Sequence, residues 1–445
     1  MQAATHCARR VKCLAMVSTV CGVVACSELT NVPTPDIISP NDITNAVGAN
    51  QQRAGAIAAF ANGLAMQALM TGMLGDEFAD RSGTIAADQR RVPLQQTYFD
   101  FPYDRLTSAR INALAAASKL ELYSPTPSWH IAEMFAYAGY VDIMDAEGLC
   151  SPLPLADVVN GSPSAVRILS RSELLKSALV DFDSATAHVA QGDSIATLVS
   201  VGRARALLDS GDWSGAVGAS QGVPSGYAYT PPYDGVHQFN VIFSNVSALD
   251  VSVSNLEGGN GLDFVSAQDP RLLIANLGLG AIVPESVYAP TKYSSLASPV
   301  VLASAIEASL IRAEVLLPQH GGPGSAWLDT LNALRTDGTF SVSGVDTTYN
   351  PGSGNVAGLR LLSDPGSDSG RVTLLFRERA FWLFGYGERL GDMRRLVRQY
   401  SRPIESVYPH GPYEGGPGTY GSDVVFRPFG EQGTAGYSGC TNTGP

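Results

Sequence analysis

The sequence is short of charge, of basic residues in particular, and of histidine, and each shortage excludes a class of protein. Charged side chains make up 16% of the 445 residues and apolar ones 45%, a balance that excludes wholesale disorder and suffices for a large packed core. The formal net charge of −12 offers no general attraction for nucleic acid, so we predict no nucleic-acid partner. The six histidines lack the spacing of metal ligands, so we predict no metal site.

Sequence motifs of enzymes and nucleotide cofactors are missing as well. The chain has no nucleophile elbow, P-loop or dinucleotide fingerprint, and its glycine-rich LEGGNGLD stretch follows no strand–helix unit. A weaker alternative is glycoside hydrolysis by paired carboxylates, for which the candidates are Asp76, Glu77, Asp142, Asp145 and Glu147. Acidic residues at helix ends are usually only solvated, so we predict a protein that is not an enzyme and uses no cofactor.

The N-terminus has the features of an export signal over residues 1–25. Three basic residues precede the apolar run CLAMVSTVCGVVAC, which is shorter than the roughly 20 residues that span a bilayer. The run ends in Val-Val-Ala-Cys, which resembles the lipobox of bacterial lipoproteins and predicts lipidation of Cys26. The alternative is a plain secretory signal with an incidental cysteine. Residues 26–50, rich in Pro, Asp, Asn and Ser, are expected to form a tether.

Helical periodicity dominates residues 51–220. Apolar residues recur at helical spacing in PSWHIAEMFAYAGYVDIMDAEG, and again in SELLKSALVDFDSA, where Ser172 is the expected cap. The segment LVSVGRARALLDSGDWSGAVGA predicts two short antiparallel helices, with a turn at residues 210–212 and a second helix opened by Trp213. Such a hairpin resembles the tetratricopeptide type.

The rest of the chain alternates between loop-rich and helical stretches. Residues 221–300 are rich in Gly, Pro, Asn, Ser and Tyr, with strand-like pieces such as VIFSNV, and are expected to form a loop-rich insertion. Helical patterns return over residues 301–400, around a Gly/Ser/Asp-rich loop at 338–370, and residues 401–445 form an irregular tail. We therefore predict a mostly α fold: a single domain over residues 51–445 of tetratricopeptide-like helical hairpins with irregular loop-rich insertions.

The stretch RERAFWLFGYGERLGDMRRL concentrates charge among bulky apolar residues. It could bind an anionic ligand, catalyse a reaction or hold a helix to its neighbours. Arg389 and Asp392 have the spacing of a local ion pair. One face would carry a core-facing stripe of Phe376, Ala380, Leu383 and Phe384. Because partly buried charges must be paired, we predict that this segment has a structural role.

A series of motifs runs along the chain in a fixed order: MLGDEFAD, AYAGYVDIMDAEGLCSPLPL, QDPRLL, TKY, IEASLIRAEVLL with LNALR, and RERAFWLFGYGERLGDMRR. Together they resemble the SusD/RagB family of outer-membrane lipoproteins, which partner TonB-dependent transporters in nutrient uptake. The last motif is the most specific, because residues stand where the family's late signature has them: Glu378, Arg379, Gly387, Arg389, Asp392, Arg394 and Arg395. Trp382 and Tyr386 depart from the pattern, since the family usually has glutamates there.

The resemblance implies a function as well as a fold. A SusD-like protein would be a lipid-anchored outer-membrane protein, exposed at the cell surface, that captures a glycan or another nutrient for a SusC-like TonB-dependent transporter. Ligand contacts in the family come from loops after the first helices and from the middle insertion, which here points to Arg81, Tyr98, Phe99, Tyr288 and Tyr293. Tyrosine offers an apolar face for sugar C–H groups and a polar edge for hydroxyls. The alternative is a surface scaffold or adhesin that acts through protein contacts alone.

Two cysteines remain once the signal peptide and Cys26 are set aside, namely Cys150 and Cys440. Both lie in turn-like contexts, EGLCSPLP and GYSGCTN, and export would bring them to an oxidising compartment. We therefore predict a disulfide that attaches the tail to the exit of an early helix pair. The alternative is two independent cysteines, one in a helix contact and one in the tail.

Overall fold

Helices form most of the regular structure. The computed structural model describes residues 43–92, 102–190, 192–280, 282–336, 359–428 and 434–445, and Thr44–Pro445 belong to one compact unit. The α-helices in these ranges are α1 (Ala46–Leu74), α2 (Pro102–Tyr123), α3 (Trp129–Gly148), α4 (Arg171–Thr186), α5 (Ser194–Ser210), α6 (Trp213–Ser220), α7 (Val241–Ser247), α8 (Ala305–Val315), α9 (Ala326–Thr336), α10 (Asp368–Trp382) and α11 (Arg389–Arg398).

Short antiparallel strand pairs connect loops that are distant in sequence. The strands of the described residues are β1 (Phe78–Asp80), β2 (Leu153–Val159), β3 (Ser162–Leu169), β4 (Ala228–Tyr229), β5 (Val251–Val253), β6 (Ile274–Leu279), β7 (Ser286–Pro290) and β8 (Ala303–Ser304). They form two-stranded sheets that pair β1 with β5, β2 with β3, β4 with β8 and β6 with β7. With few and short strands beside long helices, the predicted mostly α fold is confirmed.

Consecutive helices pack as hairpins. Each of the helices α1 to α5 packs against the next along the chain, and α8 packs against α9. The α5–α6 hairpin has the predicted form, because Gly211 ends α5 in the left-handed region (φ 80°) and Trp213 opens α6. The side chain of Asp212 accepts a hydrogen bond from the Gly215 amide, which caps α6. The tetratricopeptide-like architecture thus follows from local signals.

Two local predictions were wrong. Helix α4 is capped by Ser170 and not by Ser172, since Ser170 forms a reciprocal capping box with Glu173. The VIFSNV piece, expected as a strand, is helix α7: Asn240 accepts from the Phe243 amide at 3.0 Å and nucleates the first turn. Ile242 and Val246, four residues apart, are then buried together, and this packing outweighs the β-propensity of the segment.

Helix α1 is a core helix. Within the described residues it alone is long and apolar enough to cross a membrane, but 78% of its apolar window is buried inside the protein. Its first turn begins at Ala46, capped by Asn45, and so occupies the last residues of the predicted tether. The C-terminal core behind it is formed by α8 to α11, where Trp327 and Leu310 are fully buried.

The tail is attached to the end of α3. Cys150 and Cys440 are joined by a disulfide, with their Cα atoms 5.8 Å apart. Beside it, Ser151 and Asn442 exchange two backbone hydrogen bonds of 3.1 and 2.8 Å, and the Cys150 amide donates to the carbonyl of Phe426. Irregular backbone in the tail is therefore fixed by pairing with the scaffold, not by secondary structure of its own.

Candidate functional site

Two of the ligand residues expected from the sequence, Arg81 and Tyr288, line the same cavity. Tyr98 and Phe99, the other aromatic candidates of the first loop, lie outside the described residues, as does Cys26. The structure thus brings together one residue from the first loop and one from the middle insertion. We take the surroundings of Arg81 and Tyr288 as the candidate ligand site.

Tyr293, the remaining ligand candidate, lies in the interior. It is 5% exposed, and its hydroxyl donates a hydrogen bond of 2.8 Å to the carbonyl of Gly385. The Gly385 amide in turn donates to the carboxylate of Glu77 at 3.0 Å, just before strand β1. Tyr293 is therefore linked through Gly385 of the charged segment to Glu77, and Glu77 directly precedes strand β1. In this way Tyr293 supports the strand that leads to Arg81.

Short strands position the two cavity residues. Arg81 directly follows β1, and its amide donates to the carbonyl of Asp250 at 2.7 Å. Tyr288 lies in β7, and its amide donates to the hydroxyl of Ser252 in β5 at 2.9 Å. Because β5 pairs with β1, the first loop and the middle insertion meet at this point.

The cavity shared by Arg81 and Tyr288 has a volume of about 160 Å³. We call it the acidic cavity, because its charged and aromatic lining consists of Arg81, Asp88, Glu257, Glu285, Tyr288, Glu414 and Tyr420. Arg81, the single cation in that lining, already pairs with Glu285 at 3.1 Å. The other three carboxyl groups have no cation of their own among the described lining residues.

Burial perturbs the carboxyl groups of the acidic cavity. Burial raises the pKa of Asp88 to about 7, although the hydroxyl of Tyr413 donates to it at 2.5 Å. Burial, and then the neighbouring charge of Asp88, raise the pKa of Glu257 well above its usual range. Burial also raises the pKa of Glu414. Bringing a cation to the cavity would lower all three pKa values.

A second cavity, of about 330 Å³, also has Tyr288 in its lining. We call it the apolar cavity, because its lining is mostly hydrophobic: Val265, Gln268, Asp269, Leu272, Leu273, Ile274, Asn276 and Tyr288. Tyr288 therefore stands between a charged cavity and an apolar one. An aromatic residue in that position can contact an apolar ligand face while Arg81 and Glu285 bind hydroxyl groups beside it.

Neither a family model nor a curated protein sequence matches the chain, whereas solved structures do. A SusD-like carbohydrate-binding protein from Bacteroides vulgatus is 13% identical over 87% of this chain and 92% of its own, with a TM-score of 0.54. For a SusD homolog from Bacteroides thetaiotaomicron the identity is 14%, the coverage 84% and 90%, and the TM-score 0.58. NanU from Bacteroides fragilis is 11% identical over 85% of this chain and 94% of its own, with a TM-score of 0.58. The chain has the SusD fold.

Within this SusD fold, the signature residues of the charged segment lie inside the scaffold. Its six charged members are at most 7% exposed. Gly387 has φ 86°, and a Cβ atom there would lie 3.2 Å from the Cα of Ala68, so the segment passes close to α1. The charged residues bond as follows: Glu378 to Arg271 and Arg335, Arg379 to Glu388 and Asp392, Arg389 to Asp76, Arg395 to Glu314 and Asp392, and Arg394 to the carbonyls of Ala146, Glu147 and Leu149.

The local pair expected between Arg389 and Asp392 is not formed. Arg389 instead donates both Nε and Nη2 to the carboxylate of Asp76, at 2.6 and 2.8 Å, and Asp392 accepts from Arg379 and Arg395. Helical spacing permits the local pair, but Asp76 presents both oxygens to the guanidinium fork, which is the stronger geometry. Asp76 and Glu77, both held by the charged segment, precede the strand that carries Arg81.

The carboxyl groups considered for hydrolysis are buried, whereas we expected them to be solvated. Asp142 accepts from Arg110 at 2.6 Å, and Glu147 accepts from Arg205 at 2.7 and 2.6 Å. Burial raises the pKa of Asp145, whose two carboxylate oxygens lack a hydrogen-bond partner among the described residues. Because these groups lie at most 5% exposed in the helix core, they do not face a substrate cleft.

Sequence reasoning did not single out Asp88, Glu257 or Glu414. A signal for two of them was available, because Glu257 and Glu414 both open a Glu-Gly-Gly tripeptide. In the structure the two tripeptides meet, and the Gly258 amide donates to the carboxylate of Glu414 at 3.1 Å. Asp88 lies in an ordinary polar stretch, AADQR, which carries no such signal.

Proposed function

We propose that this chain is a lipid-anchored binding protein of the outer membrane, which captures a glycan at the cell surface and delivers it to a SusC-like TonB-dependent transporter. The observation that carries the proposal is the position of Tyr288, which lines both the acidic and the apolar cavity on the SusD fold. A structural relative with this fold is a SusD-like carbohydrate-binding protein. Residues 1–25 would be the signal peptide, residues 26–50 the tether and residues 51–445 the binding domain.

The cavity chemistry supports a sugar ligand. Arg81 and Glu285 form a partly exposed donor–acceptor pair, which suits the vicinal hydroxyls of a sugar ring. Tyr288 adds an aromatic surface that is partly exposed, so that it is available without unfolding. Tyr98 and Phe99 belong to the same proposal as further aromatic contacts from the first loop. Tyr293 enters it as a supporting residue, because its hydroxyl is bonded to the scaffold.

We expect the purified protein to bind at least one member of a glycan panel, and alanine at Tyr288 to weaken that binding by about tenfold, the usual effect of removing a central aromatic contact. Arg81→Ala should weaken it as well. Calorimetric titration with the best glycan measures both effects.

Tyr123→Ala is the matched control, because Tyr123 is an exposed tyrosine at the end of α2 and lines neither cavity. It should bind as the wild type does. If the two cavity variants also retain full affinity, the site is elsewhere on the scaffold. If no glycan binds while a surface protein does, the adhesin alternative is favoured.

Membrane attachment is expected to require Cys26. Its thiol would carry the acyl chains, and several chains together, at about 0.8 kcal/mol for each buried methylene, give stable anchoring. Labelled palmitate should therefore enter the wild-type protein and not the Cys26→Ala variant, with Cys21→Ala as a control inside the signal. Equal labelling of the wild type and Cys26→Ala would show that the lipobox is not used.

A further inference from the structure

The acidic cavity is lined by buried carboxyl groups whose oxygens are only partly hydrogen-bonded within the described residues. Asp88 and Glu257 are each 2% exposed, and both line the cavity. One oxygen of each is bonded: Asp88 accepts from the hydroxyl of Tyr413 at 2.5 Å, and Glu257 accepts from the hydroxyl of Ser254 at 2.8 Å. The other oxygens, Oδ1 of Asp88 and Oε1 of Glu257, have no hydrogen-bond partner in the part of the chain that the structure describes.

Such an arrangement is costly unless something compensates it. A buried acceptor without a donor loses its hydration and gains nothing in return. A buried carboxyl group without a cation is driven towards its protonated form, which is the direction of the raised pKa values of Asp88 and Glu257, and a bound cation would stabilise the carboxylates instead. Arg81 supplies only part of the charge: its guanidinium pairs with Glu285 on the same lining, and its effect on the pKa of Asp88 is smaller than that of burial. A ligand that brings both positive charge and hydrogen-bond donors would therefore find the cavity complementary.

An ammonium group fits this lining better than a metal ion does. No group of three or more acidic, histidine or cysteine side chains in the described residues has the geometry of a metal site. An ammonium group is a compact cation with three donors, which can satisfy two carboxylate oxygens at once. A volume of about 160 Å³ corresponds to roughly five water molecules at about 30 Å³ each, which is on the scale of an amine carried on one sugar ring.

We propose that the acidic cavity binds the protonated amine of an unacetylated amino sugar, so that the captured glycan contains glucosamine-type residues. This inference rests on the proposed function and specifies its substrate class. The amine would lie against Asp88 and Glu257, and the hydroxyls against Arg81 and Glu285. Tyr288 would contact the ring, and the rest of the glycan would extend along the apolar cavity. A lysine side chain carries the same cation but has no ring hydroxyls for Arg81 and Glu285, so the lining favours the sugar.

The test compares four probes by calorimetry on the purified full chain: a tetrasaccharide of β-1,4-linked glucosamine, its fully N-acetylated counterpart, cellotetraose and tetralysine. We expect the glucosamine tetrasaccharide to bind at least about tenfold more tightly than the acetylated and neutral ones, since hydrogen bonds to charged groups are the strong ones. The double variant Asp88→Asn/Glu257→Gln should lose that preference. It removes charge but keeps shape, and thermal unfolding will establish that it folds.

Asp145→Asn is the matched control. Like Asp88, Asp145 is a buried carboxyl group with unbonded oxygens, but it lies in α3 and lines neither cavity. It should keep the preference for the amine-bearing glycan. Retention of the preference in the double variant, or its loss in Asp145→Asn, would overturn the assignment.

The remaining outcomes separate this inference from the proposed function. If the acetylated or neutral tetrasaccharide binds as tightly as the amine, or if the glucosamine tetrasaccharide does not bind at millimolar concentration while another glycan does, the amine site is refuted and glycan capture stands. If only tetralysine binds, and the double variant abolishes it, both proposals fail. Binding of calcium chloride alone that depends on Asp88 and Glu257 would make the cavity a metal site and overturn the inference.

Discussion

Replacing Glu378 by alanine is expected to lower the free energy of unfolding by about 3–5 kcal/mol, the usual cost of removing one partner from a buried ion pair. Glu378 is 1% exposed and accepts from two guanidinium groups, those of Arg271 and Arg335, at 2.8 and 2.9 Å. Arg271 comes from the middle insertion, Arg335 from α9 and Glu378 from α10. Loss of Glu378 would leave Arg271 with Asp269 alone as an ion-pair partner and would take from Arg335 the carboxylate that it binds. It would also remove one of the links between the insertion and the C-terminal helices.

Urea unfolding followed by circular dichroism measures this effect, as a lower midpoint at unchanged slope. Asp368→Ala is the control on the same helix, because Asp368 pairs with Arg371 at 2.8 Å while its side chain is 62% exposed. An exposed pair contributes little, so the control should keep the wild-type midpoint. A midpoint for Glu378→Ala equal to that of the control would show that the ion-pair cluster does not support the fold.

Much of the scaffold could be predicted, because its determinants are local. The turn after α5 follows from Gly211, which takes a positive φ. The start of α6 at Trp213 follows from Asp212, whose side chain caps that helix. The core stripe of the charged segment follows from spacing alone: Phe376 and Ala380 are at most 3% exposed. Each of these features depends on residues within a few positions of one another, which is the range over which helical periodicity operates.

The partners of the charged residues could not be predicted, because they are distant in sequence. Arg389 finds Asp76 across 313 positions, and nothing in the local spacing distinguishes that partner from Asp392. For the same reason the acidic cavity was not foreseen. Asp88 and Glu257 come from segments that are far apart in sequence and follow β1 and β5, which pair with each other. The resemblance to the SusD/RagB family indicated the regions of Arg81 and Tyr288, but not the carboxyl groups between them.

The charged segment is connected to the acidic cavity through hydrogen bonds and strand β1. Arg389 holds Asp76, and the Gly385 amide holds Glu77, so both residues that precede β1 are bonded to the segment. Strand β1 then leads directly to Arg81. The charged segment therefore contributes to the candidate ligand site without lining it. It does so by fixing strand β1, which forms one side of that site. On this basis Arg389→Ala should weaken ligand binding only together with stability, unlike Tyr288→Ala.

Loss of the disulfide should have the largest effect on stability. Cys150 and Cys440 are 290 positions apart, and in the chain-entropy model a loop that long gives a stabilisation on the order of 5 kcal/mol, an upper figure where the unfolded chain keeps some structure. The double variant Cys150→Ala/Cys440→Ala should therefore unfold at a much lower urea concentration than the oxidised wild type. Residues 434–445 should become more sensitive to protease, because they are then held by non-covalent contacts only. These contacts include the two backbone bonds between Ser151 and Asn442 and the bonds from Arg394 and Arg398 to the carbonyls of Gly444 and Pro445.

Reductant provides the control for the disulfide prediction. Dithiothreitol should lower the unfolding midpoint of the wild type towards that of the double variant, because it reduces the bond between Cys150 and Cys440. It should leave the midpoint of the double variant unchanged, because that variant lacks both sulfurs. Intact mass after alkylation without reductant gives the oxidation state directly. Protein from an oxidising compartment should carry no alkyl group on these two sulfurs. Two alkylated thiols, or a wild type whose midpoint does not respond to reductant, would show that the tail is held by its hydrogen bonds and not by the covalent link.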